Sequence, residues 1–372
     1  MTTSSSAAGR VPAALPYSLE SWGWDAQLAE ALGVQPVGGL WPGRVIAQHR
    51  GMWRVTGEQG EANATPTGRF RYAAEDGDLP AVGDWVACVY SPHDGEASID
   101  AVLPRRSAFR RRAAGRRPGA QILAANVDTL LVATSLNGDL NPRRLERYVA
   151  MARESGADPV VLLTKADLVD GAADSAARVQ AELRVPAVAI SSRTGEGLDV
   201  AGRWFQPRKT VALVGSSGVG KSTLLNRLAG EELMVTQEIR EDDARGRHTT
   251  THRELFLLAS GALVLDTPGM REFGVWDADE GVDETFAEIV ELSDRCRFAD
   301  CSHKFEPGCE VRAAVADGRL DAGRLKSYKR LAHELADRPP APQRKDRARR
   351  FQRAMRNSAD DSMARKVHRD WD

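Results

Sequence analysis

The sequence predicts a multidomain α/β protein, in which a small β-barrel is followed by an α/β unit with a mainly parallel sheet and then by helices. Short alternating runs punctuated by glycines, such as "GRVIAQH" and "VGDWVACVY", fill residues 41–109 and are typical of a barrel. From Ala125 onward, continuous apolar strands alternate with helical patterns, which indicates a parallel sheet covered on both faces. A chain of 372 residues is long enough for two or three such domains.

The composition is that of a globular protein without a membrane-spanning segment. Hydrophobic residues make up 42% of the chain and charged residues 28%. No apolar run approaches the roughly eighteen residues that a membrane span needs. The N-terminus, "MTTSSSAAGR", lacks the apolar core of a secretion signal. These features predict a cytoplasmic protein with no membrane partner.

The stretch "GSSGVGKST" fits the phosphate-loop pattern G-x-x-x-x-G-K-[ST], with an apolar strand before it and a helix after it. The loop consists of Gly215, Ser216, Ser217, Gly218, Val219, Gly220, Lys221, Ser222 and Thr223. Its backbone N–H groups and the helix N-terminus are expected to face phosphates. Lys221 can reach the β- and γ-phosphates, and the Ser222 hydroxyl can ligate Mg²⁺. The loop therefore predicts a nucleotide site with bound magnesium.

Two further segments complete this predicted magnesium and phosphate site. In "LDTPG", at the end of the next buried strand, Asp266 is expected to hold Mg²⁺ through its water shell, and the Gly269 N–H to contact the γ-phosphate. The intervening "RGRHTTTH" supplies threonines at 249–251, of which we favour Thr250 as a magnesium ligand. A threonine-rich loop without a ligand role is the alternative.

A base-reading motif precedes the phosphate loop. It is "TKAD", namely Thr164, Lys165, Ala166 and Asp167, at the end of another buried strand. The Asp167 carboxylate can accept from guanine N1–H and the exocyclic amine together, a donor pair that adenine lacks. The Lys165 stem would lie along the base, and Ser191 and Ser192 of "ISSRTGEG" would line its other edge. The motif predicts binding of GTP and GDP.

The order of these motifs, base site first and phosphate loop second, is explained by circular permutation. Strands of a parallel sheet meet at its carboxyl edge in space, so the same pocket forms whatever their order in sequence. As a consequence, the segments that contain His248 and 266–269 lead directly into the C-terminal region. Nucleotide state can therefore act on that region.

The C-terminal region carries a cysteine-rich cluster, "RCRFADCSHKFEPGCE". Cys296, Cys301, His303 and Cys309 supply three thiolates and one imidazole, a complete tetrahedral set for one structural Zn²⁺. Cysteines that merely happen to be buried are the alternative. The remaining cysteine, Cys88, is expected in the core.

Two arginine-rich tracts flank the α/β unit although the net charge is only −1. Residues 101–127 contain no acidic residue but seven arginines, namely Arg105, Arg106, Arg110, Arg111, Arg112, Arg116 and Arg117. Residues 344–356 form a second basic tract. Either tract alone could be a solvated face, but two tracts around a nucleotide-binding core favour an RNA or DNA partner.

Together these residues resemble the circularly permuted ribosome-assembly GTPases of the RsgA (YjeQ/EngC) type. The resemblance covers residues 41–335 and depends on the barrel, "TKAD", "GSSGVGKS", "GRHTTT", "DTPGMREFG" and the cysteine–histidine cluster. It implies an enzyme that binds the small ribosomal subunit and its rRNA late in maturation and hydrolyses GTP to GDP and phosphate, with turnover stimulated by the subunit.

Two positions depart from the commoner GTPase pattern. Thr164 replaces the usual Asn, which removes one tethering amide, and Met270 stands where many GTPases carry the Gln that orients water. The resemblance assigns that second role to His248, for which a surface position without function is the alternative. The implied catalytic residues are His248, Lys221 and Thr250.

The complete prediction is a multidomain α/β protein with an N-terminal OB-like β-barrel, a central circularly permuted P-loop GTPase with a mainly parallel sheet, and a C-terminal helical zinc-binding domain. Its parts are a weakly ordered extension (1–36), an OB-like RNA-binding barrel (37–115), the GTPase (116–278), the zinc-binding domain (279–340) and a basic tail (341–372). The protein is expected to be monomeric. Two other functions stay open: a P-loop ATPase or kinase, and a zinc-containing RNA-binding protein with a structural or regulatory nucleotide.

Overall fold

The computed structural model describes residues 18–33, 40–49, 51–75, 77–91, 95–112, 120–229, 253–266 and 279–336. The basic tail, the tract at 344–356 and most of the N-terminal extension lie outside these ranges. No helix within the described ranges is long and apolar enough to cross a membrane.

The first five strands close into a barrel. They are β1 (Leu40–His49), β2 (Met52–Gly57), β3 (Gly60–Pro66), β4 (Trp85–Ser91) and β5 (Glu96–Val102), with helix α2 (Gly68–Ala73) between β3 and β4. The strand order is β1-β2-β3-β5-β4, and β4 pairs back onto β1. Their inward residues, among them Val45, Val55, Val86 and Ile99, form one apolar core. This closed five-stranded arrangement confirms the OB-like barrel.

Residues 18–33 pack against the barrel and the sheet that follows it. A 3₁₀ turn (Leu19–Trp22) precedes α1 (Ala26–Leu32), whose first N–H groups donate to the Asp25 carboxylate. Trp24 meets Trp85 of β4 edge-on, with ring centroids 4.8 Å apart. The sequence predicts weak order for 1–36. The described part of that extension is instead ordered, because its apolar residues are buried in the main core: Leu19, Trp22, Leu28 and Leu32.

The arginine-rich tract after the barrel is partly structural. Arg105 donates twice to the fully buried Asp84 carboxylate, at 2.7 Å from both Nε and Nη2, and Arg106 pairs with Asp25. Strands β6 (Ala108–Arg112) and β7 (Ala120–Ala125) then form an antiparallel hairpin. The predicted boundary between residues 115 and 116 falls inside this hairpin.

The central sheet has the strand order β10-β9-β8-β11-β13-β12. Its strands are β8 (Thr129–Ser135), β9 (Asp158–Thr164), β10 (Ala187–Ala189), β11 (Thr210–Gly215), β12 (Glu254–Leu257) and β13 (Leu263–Asp266). All neighbours are parallel except β12 and β13. Helices α3 (Pro142–Ser155), α4 (Ala172–Leu183), α5 (Leu198–Ala201) and α6 (Lys221–Ala229) accompany it. Leu130 and Val132 of β8 belong to one core and Leu131 to another, as expected for a sheet buried on both faces.

The barrel and the central sheet are joined edge to edge. β1 pairs with β12 through Ala47 and Glu254, so the two sheets form one sheet of eleven strands. Arg54 of β2 makes an ion pair with Glu254 at the same seam.

Within residues 279–336, four helices form the C-terminal domain, which docks on α3. They are α7 (Asp279–Thr285), α8 (Ala287–Ser293), α9 (Glu310–Ala316) and α10 (Ala322–Ala336). α7 approaches α3 so closely that a Cβ on Gly281 would lie 2.2 Å from the Ala150 carbonyl oxygen. Arg324 of α10 donates to the buried Glu146 carboxylate of α3 at 3.0 Å, to the Thr285 carbonyl at 2.7 Å, and to Glu288. The helical character of this domain agrees with the prediction.

Candidate nucleotide and metal sites

The phosphate loop lies between β11 and α6, as the motif predicts. Gly215 has φ of 150°, and a Cβ there would lie 2.2 Å from the Ala133 carbonyl oxygen of β8, so only glycine fits. The Lys221 ammonium donates to the Gly215 and Ser216 carbonyls, each at 2.8 Å. The cation therefore stands over the loop, within reach of phosphates that bind there. Ser222 follows at the start of α6.

The base motif lies at the carboxyl end of β9, on the same sheet edge as the phosphate loop. Lys165 has a left-handed backbone with φ of 60° and begins a 3₁₀ turn that contains Ala166 and Asp167. The Asp167 carboxylate accepts from the Ser191 hydroxyl at 2.6 Å and from Arg193 Nε at 2.8 Å. The hydrogen bond from Ser191, and then that from Arg193, lower the pKa of the Asp167 carboxyl. Asp167 is therefore ionised at neutral pH, as acceptance from a guanine requires.

Arg193 contacts the predicted base motif, and the motifs do not reveal it. Its side chain is 74% exposed, and its ion pair with Asp167 is thus a weak, solvent-screened one. A guanine that uses the Asp167 carboxylate would take the place of this contact. Ser191 is instead fully buried and also accepts from the Thr194 N–H, so it holds the carboxylate in place. Ser192 follows it in the same loop.

The Thr164 hydroxyl connects the base motif to the phosphate loop. It is buried and donates to the Val219 carbonyl at 2.7 Å. The sequence suggests that threonine here gives up the tether that asparagine usually supplies. The structure shows a tether made by the hydroxyl instead.

Asp139, in the turn after β8, extends the phosphate site toward α3. Its Oδ1 accepts from the Ser216 hydroxyl at 3.2 Å and lies 2.9 Å from Nη2 of Arg144 on α3. One signal could have identified it: the polar turn "SLNGDL" directly follows a buried strand, at the sheet edge where ligands of such folds bind.

The remaining predicted site residues are described in part or not at all. Asp266 ends β13, the parallel neighbour of β11, so its backbone lies at the same sheet edge. His248, Thr250 and Gly269 lie outside the described residues. The structure thus brings together the base motif, the loop that contains Ser191 and Ser192, and the phosphate loop.

The cysteine–histidine cluster has the geometry of a tetrahedral zinc site. Zn²⁺ binds thiolate sulfur at about 2.3 Å and imidazole nitrogen at about 2.05 Å, in tetrahedral geometry. In such a site two sulfurs lie about 3.8 Å apart, and a sulfur lies about 3.6 Å from the nitrogen. The Cys296 and Cys309 sulfurs are 3.9 Å apart, and His303 Nδ1 lies 3.7 and 3.4 Å from them. With Cys301, all four donor atoms lie within 4.8 Å of one another. The donor set therefore fits zinc.

Neighbouring groups orient this cluster. His303 Nε2 lies 3.1 Å from the Ser293 hydroxyl, which itself donates to the Ile289 carbonyl at 2.7 Å. Because the Ser293 hydroxyl proton is used in the bond to Ile289, the Ser293 oxygen must accept from an N–H at His303 Nε2. The lone pair of His303 Nδ1 is then left for a metal. Lys329 of α10 donates to the His303 carbonyl at 2.6 Å and fixes the loop to the helix.

Comparison with known proteins gives one consistent result. The family model described as RsgA GTPase matches residues 102–276. The "Small ribosomal subunit biogenesis GTPase RsgA" of Opitutus terrae is 47% identical over 86% of this chain and 90% of its own length. "RsgA 2" of Lactiplantibacillus plantarum is 49% identical over 79% and 83%.

Two solved structures share the fold. YjeQ from Thermotoga maritima has a TM-score of 0.58 and 26% identity, covering 81% of this chain and all of its own. YloQ, described as a circularly permuted GTPase, has a TM-score of 0.56 and 28% identity, covering 82% and 97%. With this permuted strand order and these relatives, the chain belongs to the RsgA GTPase family.

Proposed function

We propose that this protein is a GTPase that binds the small ribosomal subunit, acts late in its maturation, and hydrolyses GTP to GDP and phosphate faster on the subunit than alone. The observation that carries the proposal is that an ionised Asp167, held by Ser191, lies at the same sheet edge as the phosphate loop. Thr164, in the same motif as Asp167, is hydrogen-bonded to that loop. The relatives named for small-subunit biogenesis support the choice of partner.

In the nucleotide site, Asp167 would accept from the two guanine donors, with Lys165, Ser191 and Ser192 around the base. The phosphate-loop N–H groups would hold the phosphates, and Lys221 would turn from the loop carbonyls to the β- and γ-oxygens. His248 would position the attacking water and Gly269 contact the γ-phosphate, two roles that rest on the sequence.

The oxygen donors at this edge suit magnesium. Mg²⁺ prefers oxygen ligands in octahedral geometry, and the Ser222 hydroxyl, the Thr250 hydroxyl and the Asp266 carboxylate would hold it, the last through water. Bound there, it would offset the negative charge that develops during phosphoryl transfer.

The C-terminal domain would carry one structural zinc on Cys296, Cys301, His303 and Cys309. Four protein ligands leave no position for water, so the ion would stabilise the loop between α8 and α9 rather than perform catalysis.

Contacts with rRNA would come from the barrel, the arginine tract and the zinc domain. Two exposed aromatic rings support this assignment, Tyr72 on α2 at 96% and Phe305 in the zinc loop at 87% exposure, because bare rings of this kind stack on unpaired bases. Arg105 would not take part, since Asp84 occupies it. We further propose that the protein works as a monomer in the cytoplasm, where ribosomal subunits are assembled.

The deciding experiment is GTP turnover by the full-length protein with and without purified small subunits. Subunits should raise turnover strongly, and salt should weaken the stimulation as phosphate contacts are screened. His248→Ala should lose most of the stimulated rate while nucleotide binding persists. Equal stimulation by large subunits or bare RNA would contradict the small-subunit assignment.

Base choice has a separate test. Asp167→Asn should weaken GTP binding and favour xanthosine triphosphate, whose 2-position carries an oxygen. Arg193→Gln serves as the control because it removes a neighbour without changing the base acceptor. Unchanged GTP affinity in Asp167→Asn, or ATP binding as tight as that of GTP, would remove Asp167 from the base site.

A further inference from the structure

A cavity of about 380 Å³, here called the rear cavity, lies at the edge of the central sheet where β8, β9 and β11 begin. The barrel and α1 enclose it from the other side. Arg44 of β1 and Trp85 of β4 form its barrel side, and Thr210 lies on the sheet side. β11 begins here at Thr210 and ends at Gly215 in the phosphate loop. The five intervening steps of about 3.3 Å place the two sites roughly 17 Å apart. The rear cavity is therefore separate from the nucleotide site.

Arg44 is a buried cation whose hydrogen bonds reach no carboxylate in the described part of the chain; Asp84 and Asp128 act on it only from beyond hydrogen-bond distance. Its side chain is 3% exposed, and its hydrogen bonds, both from Nη2, go to neutral oxygens: Thr210 Oγ1 at 3.1 Å and the Asn126 carbonyl at 3.4 Å. Nε has no partner in the described part of the chain. Burial lowers the pKa of Arg44 to about 10, which leaves it charged at neutral pH. A buried guanidinium that has no carboxylate in hydrogen-bond contact is costly, and an anion beside it would offset that cost.

A second donor in the same wall is also unsatisfied. Trp85 is 1% exposed, its indole Nε1 has no hydrogen-bond partner among the described residues, and its ring lies 5.2 Å from the Arg44 guanidinium carbon. Both groups can only donate. The barrel side of the cavity thus presents two donors, Arg44 Nε and Trp85 Nε1, that have no acceptor among the described residues.

The mouth of the cavity adds positive charge. Arg106, Arg203, Arg208 and Lys209 line it, against the carboxylates of Asp128 and Asp158. Arg106 is paired with Asp25 and Lys209 with Asp128. Arg203 and Arg208 form no ion pair within the described ranges. With Arg44, five cations and two carboxylates line the cavity, an excess of three positive charges, which Asp84 near Arg44 and Glu20 near Arg208 offset only from outside the lining.

We propose that the rear cavity binds a small phosphate-bearing molecule, no larger than a mononucleotide, with its phosphate between Arg44, Arg203 and Arg208. A volume of 380 Å³ is within the range of small-molecule sites. Trp204, which also lines the cavity, offers an apolar surface for the rest of the ligand. Arg44 lies too deep for a phosphate that stays in an RNA helix, which favours a free small molecule.

The test measures pyrophosphate binding by calorimetry to the full-length protein already saturated with GDP, so that the phosphate loop is occupied. Wild-type protein should bind one further pyrophosphate. Arg44→Met should weaken this binding at least tenfold, because it removes the buried cation and keeps a similar apolar volume. The surface variant Arg203→Gln/Arg208→Gln, which leaves the core intact, should weaken it about three- to tenfold. Arg178→Gln, an exposed arginine on α4, is the matched control and should bind as wild type does.

Three results would overturn the proposal. The first is the absence of a second pyrophosphate on the GDP-saturated wild-type protein. The second is unchanged binding in the Arg203→Gln/Arg208→Gln variant, whose surface changes preserve folding. The third is displacement of pyrophosphate by a single-stranded RNA oligonucleotide at equal phosphate concentration, which would make RNA the source of the phosphate.

Discussion

Replacing Arg324 by alanine is expected to loosen the C-terminal domain from α3. The Arg324 side chain is 7% exposed and joins the Glu146 carboxylate, the Thr285 carbonyl and the Glu288 carboxylate. Its guanidinium carbon also lies 4.8 Å from the centre of the Phe286 ring. Glu146 itself is fully buried, and its second oxygen has no partner among the described residues. The substitution therefore leaves a buried carboxylate short of compensation.

The expected loss of stability depends on the contacts that remain around Glu146. Removing one partner of a buried ion pair costs about 3–5 kcal/mol. Arg143 still lies 2.5 Å from the Glu146 carboxylate, and Glu288 is 30% exposed and can rehydrate. We therefore expect the low end, about 3 kcal/mol, which is roughly a hundredfold in the docking equilibrium. Glu146→Gln removes the buried charge with little change in shape, so the double variant should recover about 1–2 kcal/mol relative to Arg324→Ala alone.

Hydrogen exchange followed by mass spectrometry resolves this effect locally, which suits a multidomain chain that does not unfold in one step. Exchange should accelerate in peptides from α3, α7 and α10 of Arg324→Ala and stay unchanged in the barrel. Arg319→Ala is the control, because its pairs are half exposed and worth about 0–1 kcal/mol. Protection in Arg324→Ala within threefold of wild type, or strict additivity with Glu146→Gln, would refute the reasoning.

Three further predictions concern single positions. Thr164→Val should lower GTP affinity about five- to tenfold by leaving the Val219 carbonyl without its donor, whereas Thr164→Ser should bind normally; equal affinities for a fluorescent GTP analogue would contradict the tether. Gly215→Ala should abolish nucleotide binding in equilibrium dialysis, since its Cβ would collide with the Ala133 carbonyl, and retained binding would show that β8 can move. Burial raises the pKa of Cys88 to about 12, so it is a thiol at pH 8; Cys88 should be alkylated only in denaturant, as peptide mapping would show, and alkylation of Cys88 in the native protein would place it at the surface.

The sequence predicts those parts of the fold whose chemistry is local. The phosphate loop, the cysteine–histidine cluster and the alternating barrel strands each show a pattern of residues close together in sequence, so spacing alone identifies them. The order of the motifs is also sufficient to infer the permutation, because parallel strands must meet at one edge. The alternating apolar pattern likewise indicates the double-sided burial of β8.

Contacts between distant segments escape such reasoning. Nothing near Thr164 in sequence shows that its hydroxyl reaches Val219, 55 residues away. Charge counting likewise treats all arginines alike, yet Arg105 and Arg44 are buried inside the fold while Arg203 is exposed. The apolar residues of 19–32 are too few to predict a helix of their own, and become ordered because the barrel and the sheet provide a surface to cover.

The permuted strand order has a consequence for synthesis of the chain. β8, β9 and β10 follow one another with α3 and α4 between them, so the base-binding half can assemble from neighbouring segments as they leave the ribosome. β11 pairs with β8 across a long separation, Val211 beside Thr129, and with β13, which is made later still. The phosphate loop is therefore held from both sides only after the segment up to Asp266 has been made. Because a ligand stabilises only the state that binds it, GTP contributes to stability after the last strand of the sheet has been added.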